Sequence, residues 1–114
     1  MAVSLSPIGG AGAQFFDNNG VPLAGGKLYA YEAGTTTPKT TYTSAGGSTA
    51  NTNPVILNAG GRPPSEIWLT TNEAYKFVLT DSADNQIGSW DNIYGYSSGS
   101  IAYAATEVQT ATSG

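Results

Sequence analysis

The chain has 114 residues, enough for one small domain, and carries a net charge of −4 with 11% charged residues. It contains neither cysteine nor histidine, which excludes disulfides, thiol catalysis and the commonest general base and metal ligand. The four basic residues are spread along the sequence at Lys27, Lys39, Arg62 and Lys76. Because nucleic-acid binding needs clustered positive charge, we expect no nucleic-acid partner. We also expect no cofactor.

Hydropathy likewise gives no sign of a membrane partner. No stretch approaches the roughly 20 apolar residues that a spanning helix requires. Residues 1–8 lack the basic region and the apolar region of a secretory signal. We therefore expect a protein that is made in a cytoplasm and does not bind a membrane.

Glycine, threonine, serine and asparagine dominate the composition, with 15 glycines in all. Such residues change the chain direction in turn-rich β proteins. A disordered chain would lack the regularly spaced large apolar residues found here. The sequence therefore predicts a small, mostly antiparallel all-β domain over residues 13–96, a β-sandwich or barrel-like fold with long polar loops.

Residues 1–12 are small and weakly patterned, and we expect them to form a flexible N-terminal arm. Two interpretations stay open for this arm. It is either a mobile end or a segment that orders on a partner, as happens when folding is coupled to binding. In the second case Leu5 and Ile8 would be its anchors.

The first predicted elements are a short strand at residues 13–16 and a turn at residues 17–20, where Asn-Gly suits the positive φ angles of a hairpin. A strand follows at residues 27–31, with Leu28 and Ala30 on a core face and the alternate residues on an aromatic outer face.

The middle of the chain predicts two further strands. Threonine-rich residues 40–43 fit a pleated surface, and residues 44–53 form a loop. The continuous apolar triplet at residues 55–57 predicts a short buried strand, and residues 58–61 predict a turn with glycines free to adopt positive φ.

The clearest hairpin signal joins residues 66–70 to residues 75–80. Residues 86–93 predict the last strand, with Trp90 in the core and a bulge or close backbone approach at Gly88. After it, residues 97–114 predict a linker toward a C-terminal part of a longer polypeptide or toward a partner.

Acidic residues suggest two kinds of chemistry that the pattern does not favour. A calcium site could use Asp81, Asp84, Asn85 and Asp91, but their spacing does not match the twelve-residue calcium loop, and turn formation explains them. A carboxylate pair for glycoside hydrolysis could be drawn from Glu66, Glu73 and Asp91, yet nothing singles out a pair. We expect no metal site, no catalytic residue and no enzyme activity.

Aromatic residues on the strands are better candidates for function. Tyr29 and Tyr31 lie on an outer face, and Trp68 is out of phase with Ile67 and Leu69. Tyrosine and tryptophan are enriched at protein interfaces. We therefore expect these three residues to contact other subunits or a docking partner, although sugar binding by stacked rings stays open.

Three short segments in a fixed order carry a family resemblance over residues 15–93. They are Gly-Lys-Leu-Tyr at residues 26–29, Pro-Val-Ile-Leu-Asn-Ala-Gly-Gly at residues 54–61, and an aliphatic run ending in Asp at residues 78–81, before the last strand. In this order they resemble the N-terminal virion-binding modules of bacteriophage tailspikes and tail fibres. The positions that we expect to define the fold are Gly26, Lys27, Leu28, Tyr29, Asn58, Ala59, Gly60, Gly61 and Trp90.

The resemblance implies a head-binding, non-catalytic module that forms a homotrimer. Such a module anchors a tailspike or tail fibre to the phage tail, or to a portal or adaptor protein. It is part of the virion and is made in the host bacterial cytoplasm. No receptor-binding or depolymerase region follows in these residues, so we expect either a longer protein or a short adaptor that a separate fibre protein joins.

A second function stays open beside this one. The chain could be a carbohydrate-binding or adhesin-like β-sandwich module. Residues 19–26 also resemble the opening of prealbumin-like surface modules, and Trp68 would then stack on a sugar.

Overall fold

A computed structural model describes residues 2–10 and 12–95 of the chain. Six strands are found there: β1 (Val3–Leu5), β2 (Lys27–Glu32), β3 (Val55–Ile56), β4 (Trp68–Thr70), β5 (Tyr75–Thr80) and β6 (Gln86–Ile93). Within these described ranges there is no helix with the length and apolarity needed to cross a membrane. The predicted linker at residues 97–114 lies outside the described residues.

The strands form two antiparallel sheets, which confirms the all-β prediction. The larger sheet has the order β3-β2-β5-β6, and the smaller one pairs β1 with β4. In the larger sheet Leu28 lies opposite Val55 on one side and Leu79 on the other. Because directly opposed residues point to the same face of a sheet, these three side chains enter the core together.

Both sheets contribute to one apolar core. Leu28 and Ala30 are buried on β2 while Tyr29 and Tyr31 lie on its other face, which confirms the alternation predicted from the sequence. Each large apolar side chain that is fully buried stabilises the fold by roughly 1.5–3 kcal/mol. The buried core consists of Leu23, Leu28, Ala30, Val55, Leu57, Ile67, Leu69, Tyr75, Phe77 and Leu79.

The N-terminal segment is part of this fold, and the prediction of a flexible arm at residues 1–12 does not describe residues 2–10. Ser4 pairs with Leu69 of β4, and both are buried. The Ser6 amide donates to the Ile67 carbonyl at 2.9 Å. The buried positions Ser4 and Ser6 are polar, so the sequence shows no apolar alternation that would predict a strand here. The segment is nevertheless held by backbone pairing with β4.

The predicted hairpin between residues 66–70 and 75–80 is wrong. β4 pairs with β1, whereas β5 pairs with β2 and β6. The chain crosses from one sheet to the other at residues 71–74, where Asn72 has a φ of 63°. Both segments alternate because both bury one face in the shared core, and a period of two does not identify the neighbouring strand.

Three smaller predictions also need correction. Residues 13–16 form no strand but a single bridge between Phe16 and Pro22, and residues 40–43 contribute bridges through Tyr42 alone. In the apolar triplet, Ile56 is 48% exposed between buried Val55 and Leu57. Successive side chains of a strand point to opposite faces of the sheet. Because β3 is an edge strand with one face in the core, Ile56 points outward.

Trp90 was expected in the core, but it is 42% exposed. It lies opposite Phe77 on β6, an edge strand whose register with β5 shifts twice. A Cβ at Gly88 would lie only 2.8 Å from Cη2 of the Trp90 ring. The register shift between Leu79 and Thr80 lies beside Gly88, as the bulge prediction expected, whereas the group that approaches Gly88 is the indole of Trp90 and not backbone.

Candidate functional site

Two tyrosines on the outer face of the larger sheet form the first candidate surface. Tyr29 and Tyr31 lie two residues apart on β2, and their rings are parallel within 1° with centroids 6.0 Å apart. Their opposed neighbours on β5 are Val78 and Lys76. We call these four residues the tyrosine surface.

The tyrosine surface is held in place by the turn that joins β5 to β6. The Tyr29 hydroxyl donates to Oδ1 of Asp84 at 2.6 Å, and Lys27 Nζ lies 3.1 Å from Oδ2 of the same carboxylate. The hydrogen bond from Tyr29 and the one from Lys27 lower the pKa of Asp84. The same bond to Asp84 raises the pKa of Tyr29. Asp84 therefore fixes the Tyr29 ring through an ionised carboxylate.

Turn geometry accounts for the acidic cluster that suggested calcium. Oδ1 of Asp81 accepts the backbone amides of Ala83 and Asn85, each at 2.9 Å, and the bond from the Asn85 amide is the main cause of its lowered pKa. Among residues 2–10 and 12–95, no group of three or more acidic side chains could hold a metal ion. The carboxylates of this turn are thus engaged by backbone amides, Tyr29 and Lys27.

The smaller sheet carries a second candidate surface around Trp68. Leu5 of β1 lies opposite Trp68, and on the other side Tyr42 and Trp68 exchange two backbone hydrogen bonds of 2.8 Å. Directly opposed residues share a face, so Leu5, Trp68 and Tyr42 form one row across the sheet, the tryptophan row. The Trp68 indole nitrogen donates to Oε1 of Glu66 at 3.0 Å, which fixes the ring orientation.

An apolar groove of about 320 Å³ lies between β6 and the N-terminal segment. Trp90 and Ile93 form one wall, while Pro7 and Ile8 form the other. Phe15 completes the lining. The groove lies on the core side of β6, because Trp90 is opposed to Phe77 and Ile93 to Tyr75.

The five predicted contact residues do not form one site. Tyr29 and Tyr31 belong to the tyrosine surface, Leu5 and Trp68 to the tryptophan row, and Ile8 to the groove. Sequence reasoning missed Tyr42 in the row and Phe15 and Ile93 in the groove. Period-two alternation indicates which face a side chain occupies, but these residues meet through pairings between distant segments, and nothing in the local sequence signals them.

Each of the carboxylates considered for hydrolysis is engaged in a different structural contact. Glu66 accepts from Trp68, and Glu73 binds Lys39 Nζ at 2.6 Å and so raises the pKa of Lys39. Asp91 accepts the Gly34 amide at 2.9 Å. Each is explained by a turn, a ring or an ion pair.

Comparison with known proteins adds no family assignment. No protein-family model matches the chain, and no curated protein matches it.

Proposed function

We propose that the chain is a structural module of a phage tail that anchors a tailspike or tail fibre to the virion, without catalysis and as a homotrimer. The observation that carries the proposal is that the three segments of the family resemblance are neighbours in one sheet. Lys27 and Leu28 pair with Ile56 and Val55 on one side, and Leu28 pairs with Leu79 on the other. Residues that are far apart in sequence thus meet as one structural unit.

The turn at the end of the second motif, residues 58–61, supports the same proposal, because its asparagine and glycine residues have structural roles. Oδ1 of Asn58 accepts the amides of Gly60 and Arg62 at 2.9 and 3.1 Å. Gly61 has a φ of 75° and lies against the backbone of Phe15 and Leu23, where a Cβ has no room. A motif that fixes a turn and a close backbone contact suits a structural role rather than a reaction.

The outer surfaces support assembly. Tyr29 and Tyr31 lie on the larger sheet and Trp68 on the smaller one, each partly exposed. Aromatic side chains of this kind contribute much of the energy of protein interfaces. We assign the contacts between subunits and with a tail, portal or adaptor protein to the tyrosine surface and the tryptophan row, and we propose that the two sheets pack as a sandwich.

The test is the composition of the virus particle. Mass spectrometry of purified particles of the phage that encodes this chain should detect it at a fixed ratio to the major tail protein. A chain that is abundant in infected cells but missing from purified particles would contradict the proposal.

A sugar-binding module is the alternative, and the partly exposed Trp68 beside Glu66 is the feature that favours it. A glycan array separates the two functions. Glycan binding that disappears on Trp68→Ala would support the alternative, whereas a chain that is found in particles and binds no glycan would support anchoring.

A further inference from the structure

The turn between Phe16 and Pro22 contains the one Asn-Gly dipeptide of the sequence, Asn19-Gly20. Asparagine followed by glycine has an unhindered reaction open to it, because the backbone nitrogen of the next residue can attack the side-chain amide. Glycine has no Cβ to obstruct that approach and moves freely between backbone conformations.

Both residues are exposed at the tip of the turn. Apart from Gly20 and its two chain neighbours, no described heavy atom lies within 4 Å of the position that a Cβ on Gly20 would occupy. Within residues 2–10 and 12–95, the bond at Asn19 is made by its backbone amide and not by its side chain. The amide group of Asn19 is therefore free to rotate toward the Gly20 nitrogen.

We propose that Asn19 is a site of spontaneous deamidation. The Gly20 backbone nitrogen attacks Cγ of Asn19 and forms a new carbon–nitrogen bond, while the side-chain nitrogen leaves as ammonia and takes up the proton that the Gly20 amide loses. Water then opens the resulting succinimide ring at either carbonyl. The product is aspartate or isoaspartate, and the net reaction consumes one water and releases one ammonia.

Asp17 sets the rate of this reaction. Its Oδ1 accepts the backbone amides of Asn19 and Val21 at 2.8 and 3.0 Å. Its carbonyl accepts the Gly20 amide at 3.0 Å, so the attacking nitrogen is held away from Cγ until the turn opens. The Asp17 side chain keeps this turn closed through its bonds to the Asn19 and Val21 amides. The reaction is therefore slower in the folded chain than in an unfolded one.

Three other asparagines, Asn53, Asn58 and Asn85, are held by side-chain hydrogen bonds. Oδ1 of Asn58 accepts two backbone amides, and Nδ2 of Asn53 donates to the Ala30 carbonyl. Nδ2 of Asn85 donates to Asp81. Each of these is also followed by a residue larger than glycine, so Asn19 is expected to react first.

Deamidation would alter the turn itself. It places a second carboxylate two residues from Asp17, and isoaspartate adds an atom to the backbone between Phe16 and Pro22. A β-bridge joins Phe16 to Pro22, and Phe16 and the neighbouring Val21 are already 45% and 55% exposed. The modified chain would therefore release an apolar loop at one edge of the domain.

Peptide mapping by mass spectrometry after incubation at neutral and mildly alkaline pH tests the proposal. We expect conversion at Asn19 ahead of Asn58 and Asn85 in the same sample. Asp17→Ala should raise the rate at Asn19 about fivefold, which corresponds to the loss of about 1 kcal/mol of hydrogen bonding. In concentrated urea the parent chain should react faster, and Asp17→Ala should then make no difference.

Two results would overturn the inference. One is conversion at Asn19 no faster than at Asn58 in the folded chain. The other is an Asp17→Ala effect on the rate at Asn19 that is the same with and without urea, since the Asp17 side chain can slow the reaction only in the folded turn.

Discussion

The side chain of Asn53 completes the backbone hydrogen bonds of Ala30 just beyond the point where β3 stops covering β2. Oδ1 of Asn53 accepts the Ala30 amide at 3.0 Å, and its Nδ2 donates to the Ala30 carbonyl at 2.8 Å. β3 itself pairs with Lys27 and Leu28 alone. A single side chain thus extends the edge of the sheet in the way that a further strand residue would.

Asn53→Ala removes both bonds. The Ala30 carbonyl still accepts the Lys39 amide at 3.0 Å, but the Ala30 amide loses its acceptor. We expect the free energy of unfolding to fall by roughly 1–3 kcal/mol, because unsatisfied polar groups near the core are costly. Urea denaturation followed by fluorescence measures the change. Asn18→Ala, which removes the same side chain at an exposed turn position, should change stability by less than about 0.5 kcal/mol.

Gly61→Ala should be among the most harmful alanine substitutions in the turns. The residue has a φ of 75°, and a Cβ there would contact the Phe15 carbonyl oxygen and lie 2.7 Å from the Leu23 nitrogen. Left-handed strain together with this clash predicts a loss of roughly 2–4 kcal/mol.

The neighbouring glycine gives the matched control for that substitution. A Cβ on Gly60 would meet Asn58 Oδ1 at 3.4 Å, an ordinary contact. Gly60→Ala should therefore leave the thermal unfolding midpoint nearly unchanged. Equal losses for the two variants would contradict the account of this turn.

The sequence predicted features that depend on neighbouring residues better than it predicted the pairing of distant segments. The alternation on β2, the turn at residues 58–61 and the last strand all depend on nearby residues, and the structure confirms them. The partner of β4 and the position of β1 depend on which segments meet in the core. Two segments with the same period fit many pairings, and burial in three dimensions selects one.

The candidate site shows the same division. Tyr29 and Tyr31 could be placed on one face from their spacing, because residues two apart on a strand share a face. The row that joins Trp68 to Leu5 and Tyr42 crosses three segments. Trp90 was misassigned because a strand at a sheet edge, with two register shifts, leaves even its core-facing side partly open.

Tyr29→Phe should raise the pKa of Asp84, since the hydroxyl of Tyr29 is the first cause of its lowered value. Carboxyl-detected NMR titration measures this change residue by residue. Asp81, whose pKa is lowered chiefly by the Asn85 amide, serves as the internal control and should keep its value. An unchanged Asp84 would show that the ring is not held by this bond.

The same carboxylate predicts how stability depends on pH. Because the pKa of Asp84 is lowered in the folded chain, the unfolded chain binds the proton more readily. The contribution of Asp84 is therefore complete above about pH 4 and is lost as pH falls through the folded-state pKa. Asp84→Asn should weaken the acid dependence of the unfolding midpoint below about pH 4, and an unchanged acid dependence would contradict this account.

Trp68→Ala should weaken assembly more than it weakens folding. The ring is partly exposed on the outer face of β4, so its loss removes interface area while the core stays intact. Interface tryptophans that matter contribute at least about 2 kcal/mol, so we expect association to weaken by at least about thirtyfold.

Sedimentation at several concentrations measures that association, with circular dichroism as the check on folding. Trp68→Phe keeps an aromatic ring and should restore most of the association. A variant that assembles normally, or one that unfolds before it dissociates, would remove Trp68 from the proposed interface.

The proposal that the chain is a trimeric anchoring module is tested most directly by its mass in solution. Light scattering after size-exclusion chromatography should give three times the chain mass of 11.7 kDa at micromolar concentration. A mass that stays at 11.7 kDa across the concentration range would contradict a trimer formed by these residues.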